Sequence, residues 1–147
     1  MRKILTVLAA LFLSVPTISQ DRTVKARMVQ VGEWDARERG WQWGETVPST
    51  VSITFSVKYI SIDNKEGSFF TILSDDGERT GRLTSDPSVT YKGHSWRARD
   101  RRGRTCQVSI VGYSSLDYDV MFNVMYDNVC IRFYLPPTET GLDPYSP

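Results

Sequence analysis

The alternation of apolar and polar residues is the feature of this sequence that most restricts its fold. Short runs repeat every second residue, the period of a β-strand with one face on a core, and almost none repeat with helical spacing. The clearest pair is 119–126 and 129–135, joined by Asp127 and Asn128, which tolerate a positive φ and predict a two-residue type I′ turn. In that register four apolar pairs share one face: Tyr126 with Val129, Val124 with Ile131, Phe122 with Phe133 and Val120 with Leu135.

The remaining runs extend this β pattern along the chain. A second hairpin is predicted from 94–99 and 105–112, with Gly103 at the left-handed position of its turn. Residues 51–62 alternate as one strand or as two strands with a bend, and the polar stretch 74–87 predicts a loop or a weak strand. We therefore expect an all-β fold, a small antiparallel β-barrel or sandwich of about seven to eight short strands.

One segment has helical signals. Asp35 can cap a helix, Glu38 lies three residues later as in a capping box, and Gly40 stops it. These residues predict a single helical turn over 35–39.

The N-terminus has the layout of a secretory signal peptide. Arg2 and Lys3 precede an apolar run over 4–15, and Pro16 with small residues follows. The run is shorter than the ~20 residues that a membrane-spanning helix needs. We predict cleavage between Ser19 and Gln20, and a secreted or periplasmic protein without a transmembrane span in the mature chain.

This assignment divides the chain into three parts. Residues 1–19 are the signal peptide, 20–135 form a single β domain, and 136–147 form a Pro-rich flexible tail.

Two cysteines enter an oxidising compartment if the chain is exported, and such a pair usually forms a disulfide. Alternation places Cys106 on the face that carries Val108 and Ile110, whereas Cys130 lies opposite the apolar face of its own strand. Two interpretations follow, a Cys106–Cys130 disulfide or a buried, inert Cys106 with a separate Cys130.

A tryptophan-rich segment is the main candidate for binding. Trp34, Trp41 and Trp43 lie within ten residues of one another, interleaved with Arg37 and Glu38. If the segment is extended, Trp41 and Trp43 project to the same side and form an apolar platform. Indole faces beside charged groups are typical of sugar-binding clefts and of protein interfaces, and they also suit a cap over the open end of a β core.

We therefore predict a binding module for a glycan or small molecule. The alternative is a protein-interaction module, such as an inhibitor or an immunity factor. The expected partner is accordingly a glycan or another exported protein.

A basic cluster is the secondary candidate site. It consists of five arginines around one predicted turn: Arg97, Arg99, Arg101, Arg102 and Arg104. Such a cluster fits a phosphate or a sulfated glycan, or it protects an edge strand as a solvated loop. The formal net charge of only +1 makes a nucleic-acid partner unlikely on electrostatic grounds.

Catalytic and metal-binding motifs are not found in the sequence. One His and two Cys are too few for a Cys/His zinc site, and Asp117 with Asp119 does not match a calcium loop. His94 has no partner Ser in a Gly-x-Ser-x-Gly elbow. We expect no enzyme, no metal and no cofactor; a hydrolase is the remote alternative and requires Asp117, Asp119 or His94 to converge in a pocket.

The second hairpin also carries a resemblance. An aromatic-x-Ala-x-Asp-x-x-Gly-x-x-Cys pattern, followed by a β run, is formed by Trp96, Ala98, Asp100, Gly103 and Cys106. It resembles a segment of small exported bacterial β-proteins of unknown function, and the likeness covers about residues 51–135. The resemblance implies a small β domain and no known activity.

Overall fold

The computed structural model describes residues 21–137, so the predicted signal peptide and nearly all of the predicted tail lie outside the described residues. No residue from 21 to 137 is helical, and no helix there could cross a membrane. The described residues form eleven strands: β1 Arg22–Lys25, β2 Met28–Asp35, β3 Gly40–Trp43, β4 Val47–Pro48, β5 Ser52–Phe55, β6 Tyr59–Ile62, β7 Ser68–Arg82, β8 Thr90–Arg99, β9 Thr105–Tyr113, β10 Val120–Met125 and β11 Val129–Leu135.

All eleven strands belong to one antiparallel sheet. Their order is β1-β5-β6-β7-β8-β9-β10-β11-β2-β3, and β4 pairs with β2 beside this path. From β5 to β11, strands that are consecutive in the chain are also neighbours in the sheet. The predicted all-β class is confirmed, whereas the strand count exceeds the seven to eight expected.

The sheet curls around a single core. Phe55 of β5 contacts Phe122 of β10 edge to face, with ring centroids 5.3 Å apart, although four strands separate them in the sheet. One cluster of buried side chains joins β5, β6, β7, β8, β9, β10 and β11. Burial of these apolar faces is the main force that holds the strands together.

The first strands connect the two ends of this strand series. Just after β1, the N–H of Ala26 donates to the carbonyl oxygen of Val51. Just before β2, the N–H of Arg27 donates to the carbonyl oxygen of Tyr134. The sheet is not closed into a ring. Before Ala26 the chain pairs with β5 through β1, and after Ala26 it pairs with β11 through β2, so no single strand pairs with both.

The strand pairing of both predicted hairpins is confirmed, whereas neither Asp127 nor Asn128 has a positive φ, so the β10–β11 turn is not the predicted type I′ turn. In β10–β11, Val120 lies opposite Leu135, Phe122 opposite Phe133 and Val124 opposite Ile131. In β8–β9, Ala98 lies opposite Cys106, and Gly103 has the predicted left-handed φ of 82°.

Two local predictions are incomplete. Of the two interpretations of residues 51–62, the one with two strands is correct, and the strands β5 and β6 form a hairpin with Ile60 opposite Phe55. Most of 74–87 continues β7 beside β8, because bulges after Ile72 and Asp75 interrupt the side-chain alternation without ending the ladder.

The predicted helical turn is the tight turn between β2 and β3. The Asp35 carboxylate accepts bonds from the N–H groups of Arg37 at 2.9 Å and Glu38 at 3.3 Å, as a helix cap would. Arg39 then adopts a φ of 51°, which reverses the chain into β3 instead of continuing a helix.

The candidate disulfide is not formed. Cys106 and Cys130 are both free and both buried. Cys106 belongs to the core cluster, whereas Cys130 lies opposite Gly32 on the other face of the sheet. Side chains on opposite faces of a sheet point apart, so the second interpretation, two separate buried thiols, is the correct one.

Candidate functional site

The three tryptophans of the β2–β3 hairpin lie together on one face, and we call them the tryptophan surface. Trp34 lies opposite Trp41, and Trp43 lies opposite Gly32. The Trp34 and Trp41 rings meet edge to face with centroids 5.4 Å apart, and the Trp41 and Trp43 centroids are 6.3 Å apart. The prediction that Trp41 and Trp43 project to the same side is consistent with their positions in β3.

Trp43 is held in place by contacts that the sequence did not reveal. A Cβ atom on Gly32 would lie 2.9 Å from Cε3 of Trp43, so the ring packs directly on the β2 backbone. The Arg132 guanidinium lies over the same ring, 4.0 Å from its centroid. Nε of Arg132 also donates to Oδ1 of Asn123 at 2.8 Å, which fixes the guanidinium. Trp43 is therefore part of a built structure.

The rings differ in how much surface remains for a partner. Trp34 is 43% exposed, whereas Trp41 and Trp43 are half-buried. Arg37 and Glu38 are exposed in the adjoining turn, beside Trp34 in the chain. The structure thus brings the three predicted rings together and places the two charged candidates at the end of the same hairpin.

The basic cluster does not form one patch. Arg97 and Arg99 are exposed along β8. Arg101, Arg102 and Arg104 instead line a cavity of about 500 Å³ that we call the hairpin-end cavity. The sequence placed these five residues in one group, and the fold divides them.

The hairpin-end cavity is formed where three hairpins end. Its lining comes from the turn between β6 and β7, the turn between β8 and β9, and the ends of β10 and β11. The deepest lining side chains are Phe70 and Val124, which are 5% and 1% exposed. The cavity therefore has an apolar floor and an arginine-rich rim.

Asp100 fixes the β8–β9 turn at this rim. Its side chain, only 10% exposed, accepts bonds from the N–H groups of Arg102 and Arg104, both at 2.9 Å. Nε of Arg104 donates to the same carboxylate at 3.0 Å, and the hydroxyl of Tyr126 donates at 2.8 Å. The Arg104 guanidinium also lies 4.8 Å from the centroid of the Tyr126 ring.

These bonds set the charge state of the turn. Burial acts to raise the pKa of Asp100, but the bonds from Tyr126, Arg104 and Arg102 outweigh it and hold that pKa below its usual value. Burial, followed by the bond to Asp100, raises the pKa of Tyr126. Asp100 is therefore ionised and Tyr126 neutral at physiological pH.

His94 lies apart from the residues with which a hydrolase would need it to converge. Its ring stacks on Trp96 with centroids 4.3 Å apart, and Nε2 is 2.7 Å from Oδ1 of Asp75. Nδ1 is 3.7 Å from Oε1 of Glu78. The N–H of Gly77, and then His94, lower the pKa of Asp75. His94 thus joins β8 to β7 through the Asp75 carboxylate, whereas its buried Nδ1 has no hydrogen-bond partner among the described residues.

The two acidic candidates near β10 do not join His94. Asp119 pairs with the Arg27 guanidinium at 3.2 Å. Asp117 lies in a turn, where its N–H donates to the hydroxyl oxygen of Ser115. No group of three or more His, Cys, Asp or Glu side chains in residues 21–137 is arranged to hold a metal ion.

Comparison with protein-family models, with curated proteins and with solved structures finds no match to this chain. The resemblance of residues 51–135 to small exported bacterial β-proteins accordingly stays an expectation.

Proposed function

We propose that this protein is an exported binding module that binds a glycan through the tryptophan surface. The observation that carries the proposal is the row of three indole rings on one face of β2–β3, with Trp43 fixed between the contacts of Gly32 and Arg132. The apolar face of a sugar ring stacks on an indole, and its hydroxyl groups bond to polar side chains such as those of Arg37 and Glu38.

The expected affinity is modest. A tryptophan side chain buries about 200 Å² when fully covered, and less than half of Trp34 is still exposed. At ~25 cal/mol per Å², covering that remainder contributes about 2 kcal/mol before ordering costs. With smaller contributions from Trp41 and Trp43 the total stays below about 6 kcal/mol before ordering costs, so a dissociation constant in the roughly millimolar range follows.

The scaffold supports a preformed site. We propose a barrel-like arrangement rather than a sandwich, because consecutive strands from β5 to β11 pair in one series around one core. A hairpin on such a scaffold loses little entropy when it binds.

The test combines a glycan array with calorimetry on one matched pair of variants. Trp34→Ala is expected to weaken binding of an array hit by about tenfold. Leu73→Ala is the control, because Leu73 is an apolar side chain of similar exposure, 42%, on β7. An empty array, or equal affinities for both variants, contradicts the proposal.

Export is tested separately by intact mass. The protein recovered from the periplasm or the medium is expected to begin at Gln20. A full-length species that remains in the cytosol contradicts export, whatever the glycan result.

A second candidate function, binding of another exported protein, is favoured by the position of β3. Within residues 21–137 this strand pairs only with β2, so its other edge is open to an added strand. Co-purification from the native envelope fraction tests this candidate, and a captured protein that a glycan hit does not displace favours it over the first.

A further inference from the structure

We propose that the hairpin-end cavity is a second binding site, independent of the tryptophan surface, for a small amphipathic carboxylate. The cavity has a volume of about 500 Å³, within the ~300–1,000 Å³ range of small-molecule sites. It opens at the end of the curled sheet, a common position for ligands in β folds. Its floor, its rim and its ordered turn each fit such a ligand.

The floor takes the apolar body of the ligand. The apolar surface still accessible in the cavity belongs to the half-buried Phe69, Val129 and Ile131, which line it together with the buried Phe70 and Val124. A small inorganic anion leaves this apolar surface uncovered, whereas a hydrocarbon chain covers it and gains free energy in proportion to the area.

The rim takes the anionic head. Three guanidinium groups, those of Arg101, Arg102 and Arg104, face two carboxylates, Asp100 and Glu66. Arg104 is committed to Asp100 and to the Tyr126 ring.

Arg101 and Arg102 remain for the ligand. No Asp or Glu of residues 21–137 lies within 4.0 Å of either guanidinium. Arg101 lies near the Phe69 ring, 5.9 Å from its centroid, and near Gly67 of the facing turn. A guanidinium binds a carboxylate through two parallel hydrogen bonds, so these side chains are suited to that head.

The turn that carries both arginines is already ordered. Asp100 accepts bonds from the N–H groups of Arg102 and Arg104, and Gly103 provides the left-handed residue that the turn requires. The ligand therefore orders only side chains on binding, which lowers the entropic cost.

Calorimetry on the full mature protein with four compounds tests the proposal. Sodium decanoate supplies head and body, 1-decanol supplies the body, and sodium acetate and inorganic phosphate supply heads. We expect decanoate to bind at least about tenfold more tightly than each of the others. Failure of decanoate to bind overturns the proposal. Binding of phosphate or acetate as tight as that of decanoate also overturns it, because the floor then contributes nothing.

A matched pair of double variants locates the site. Arg101→Gln with Arg102→Gln is expected to weaken decanoate binding by about tenfold and to leave decanol unchanged. Arg97→Gln with Arg99→Gln removes the same charge from exposed positions of β8 outside the cavity, and is expected to change the affinity by less than about twofold.

Equal losses in the two double variants overturn the proposed location, because they show a general charge effect. Circular dichroism verifies that both variants are folded. Trp34→Ala is expected to bind decanoate normally, so the result for this cavity is separable from the result for the tryptophan surface.

Discussion

Replacing Asp100 with Ala tests how strongly one carboxylate holds the end of the sheet. The substitution removes the acceptor of four hydrogen bonds, from the N–H groups of Arg102 and Arg104, from Nε of Arg104 and from the Tyr126 hydroxyl. The exposed donors can turn to water, whereas the Tyr126 hydroxyl is part-buried and loses its partner.

The expected cost follows from these bonds. A hydrogen bond to a charged group contributes about 1.5–3 kcal/mol, and the contributions are not additive in a shared network. We expect Asp100→Ala to lower the free energy of unfolding by about 2–4 kcal/mol, a large fraction of the ~5–15 kcal/mol typical of a domain. Tyr126→Phe, which removes one of the four donors, is expected to cost about 1 kcal/mol.

Urea denaturation followed by circular dichroism measures the effect. With a slope of about 2 kcal/mol per molar urea, in the middle of the usual range, the midpoint falls by roughly 1–2 M. Asp63→Ala is the control, because it removes the same charge from an exposed position whose carboxylate makes no ion pair within residues 21–137.

The pH dependence gives an independent check. The folded-state pKa of Asp100 is lowered, so its contribution is complete above the unfolded pKa of ~3.9 and is lost as the pH falls through the folded value. The difference between wild type and Asp100→Ala should therefore shrink below about pH 4. A loss under about 1 kcal/mol at neutral pH, or a pH profile equal to that of Asp63→Ala, would show that Asp100 does not hold this end of the sheet.

Two further predictions concern the packed glycine and the thiols. Gly32→Ala places a Cβ 2.9 Å from the Trp43 ring, so it should lower the free energy of unfolding by about 1–3 kcal/mol and change the tryptophan fluorescence spectrum. Gly40→Ala is the control, because its Cβ meets nothing closer than 4.0 Å, and it should not alter the spectrum. Burial raises the pKa of Cys106 to about 11, so alkylation should be slow in the native protein. In urea without reductant, mass spectrometry should show alkylation of both Cys106 and Cys130. A protein mass without alkyl groups would show that the two thiols are joined in a disulfide instead.

The parts of the fold that the sequence predicted are the parts with local determinants. Gly103 provides the left-handed residue of the β8–β9 turn, and the facing apolar residues of β10 and β11 give the predicted register although Asp127 and Asn128 do not adopt a type I′ turn, so register follows from residues that are close in the chain. The alternation of Cys106 and Cys130 likewise predicted their opposite faces, although the usual pairing of exported cysteines pointed to a bridge.

The parts that the sequence missed depend on distant partners. The change of partner at Ala26 requires both β5 and β11 to be in place, and neither is near it in sequence. Residues 74–82 of β7 were predicted as a loop or a weak strand, because they are polar and almost all exposed, and bulges after Ile72 and Asp75 break the alternation that identifies a strand.

The candidate site shows the same division. Three tryptophans so close in sequence were recognisable, but the contact of Arg132 with Trp43 arises from the pairing of β11 with β2. The cavity lined by Gly67, Asp100 and Tyr126 forms only because three hairpins end at the same place. No pattern of neighbouring residues in the sequence indicates that arrangement.

Each of the two candidate sites contains an arginine that is held by an acceptor and an aromatic ring. We nevertheless expect the two sites to bind different ligands. Arg132 is bonded to Asn123 and lies over Trp43, and Arg104 is bonded to Asp100 and lies over Tyr126. In both cases the guanidinium is already occupied by an acceptor and a ring, so it stabilises the surface more than it attracts an anion. If the tryptophan surface binds a glycan as we propose, we expect the fixed cation to support stacking of a neutral ligand there. At the hairpin-end cavity further arginines remain on the rim, so we expect charge as well as shape to select the proposed ligand.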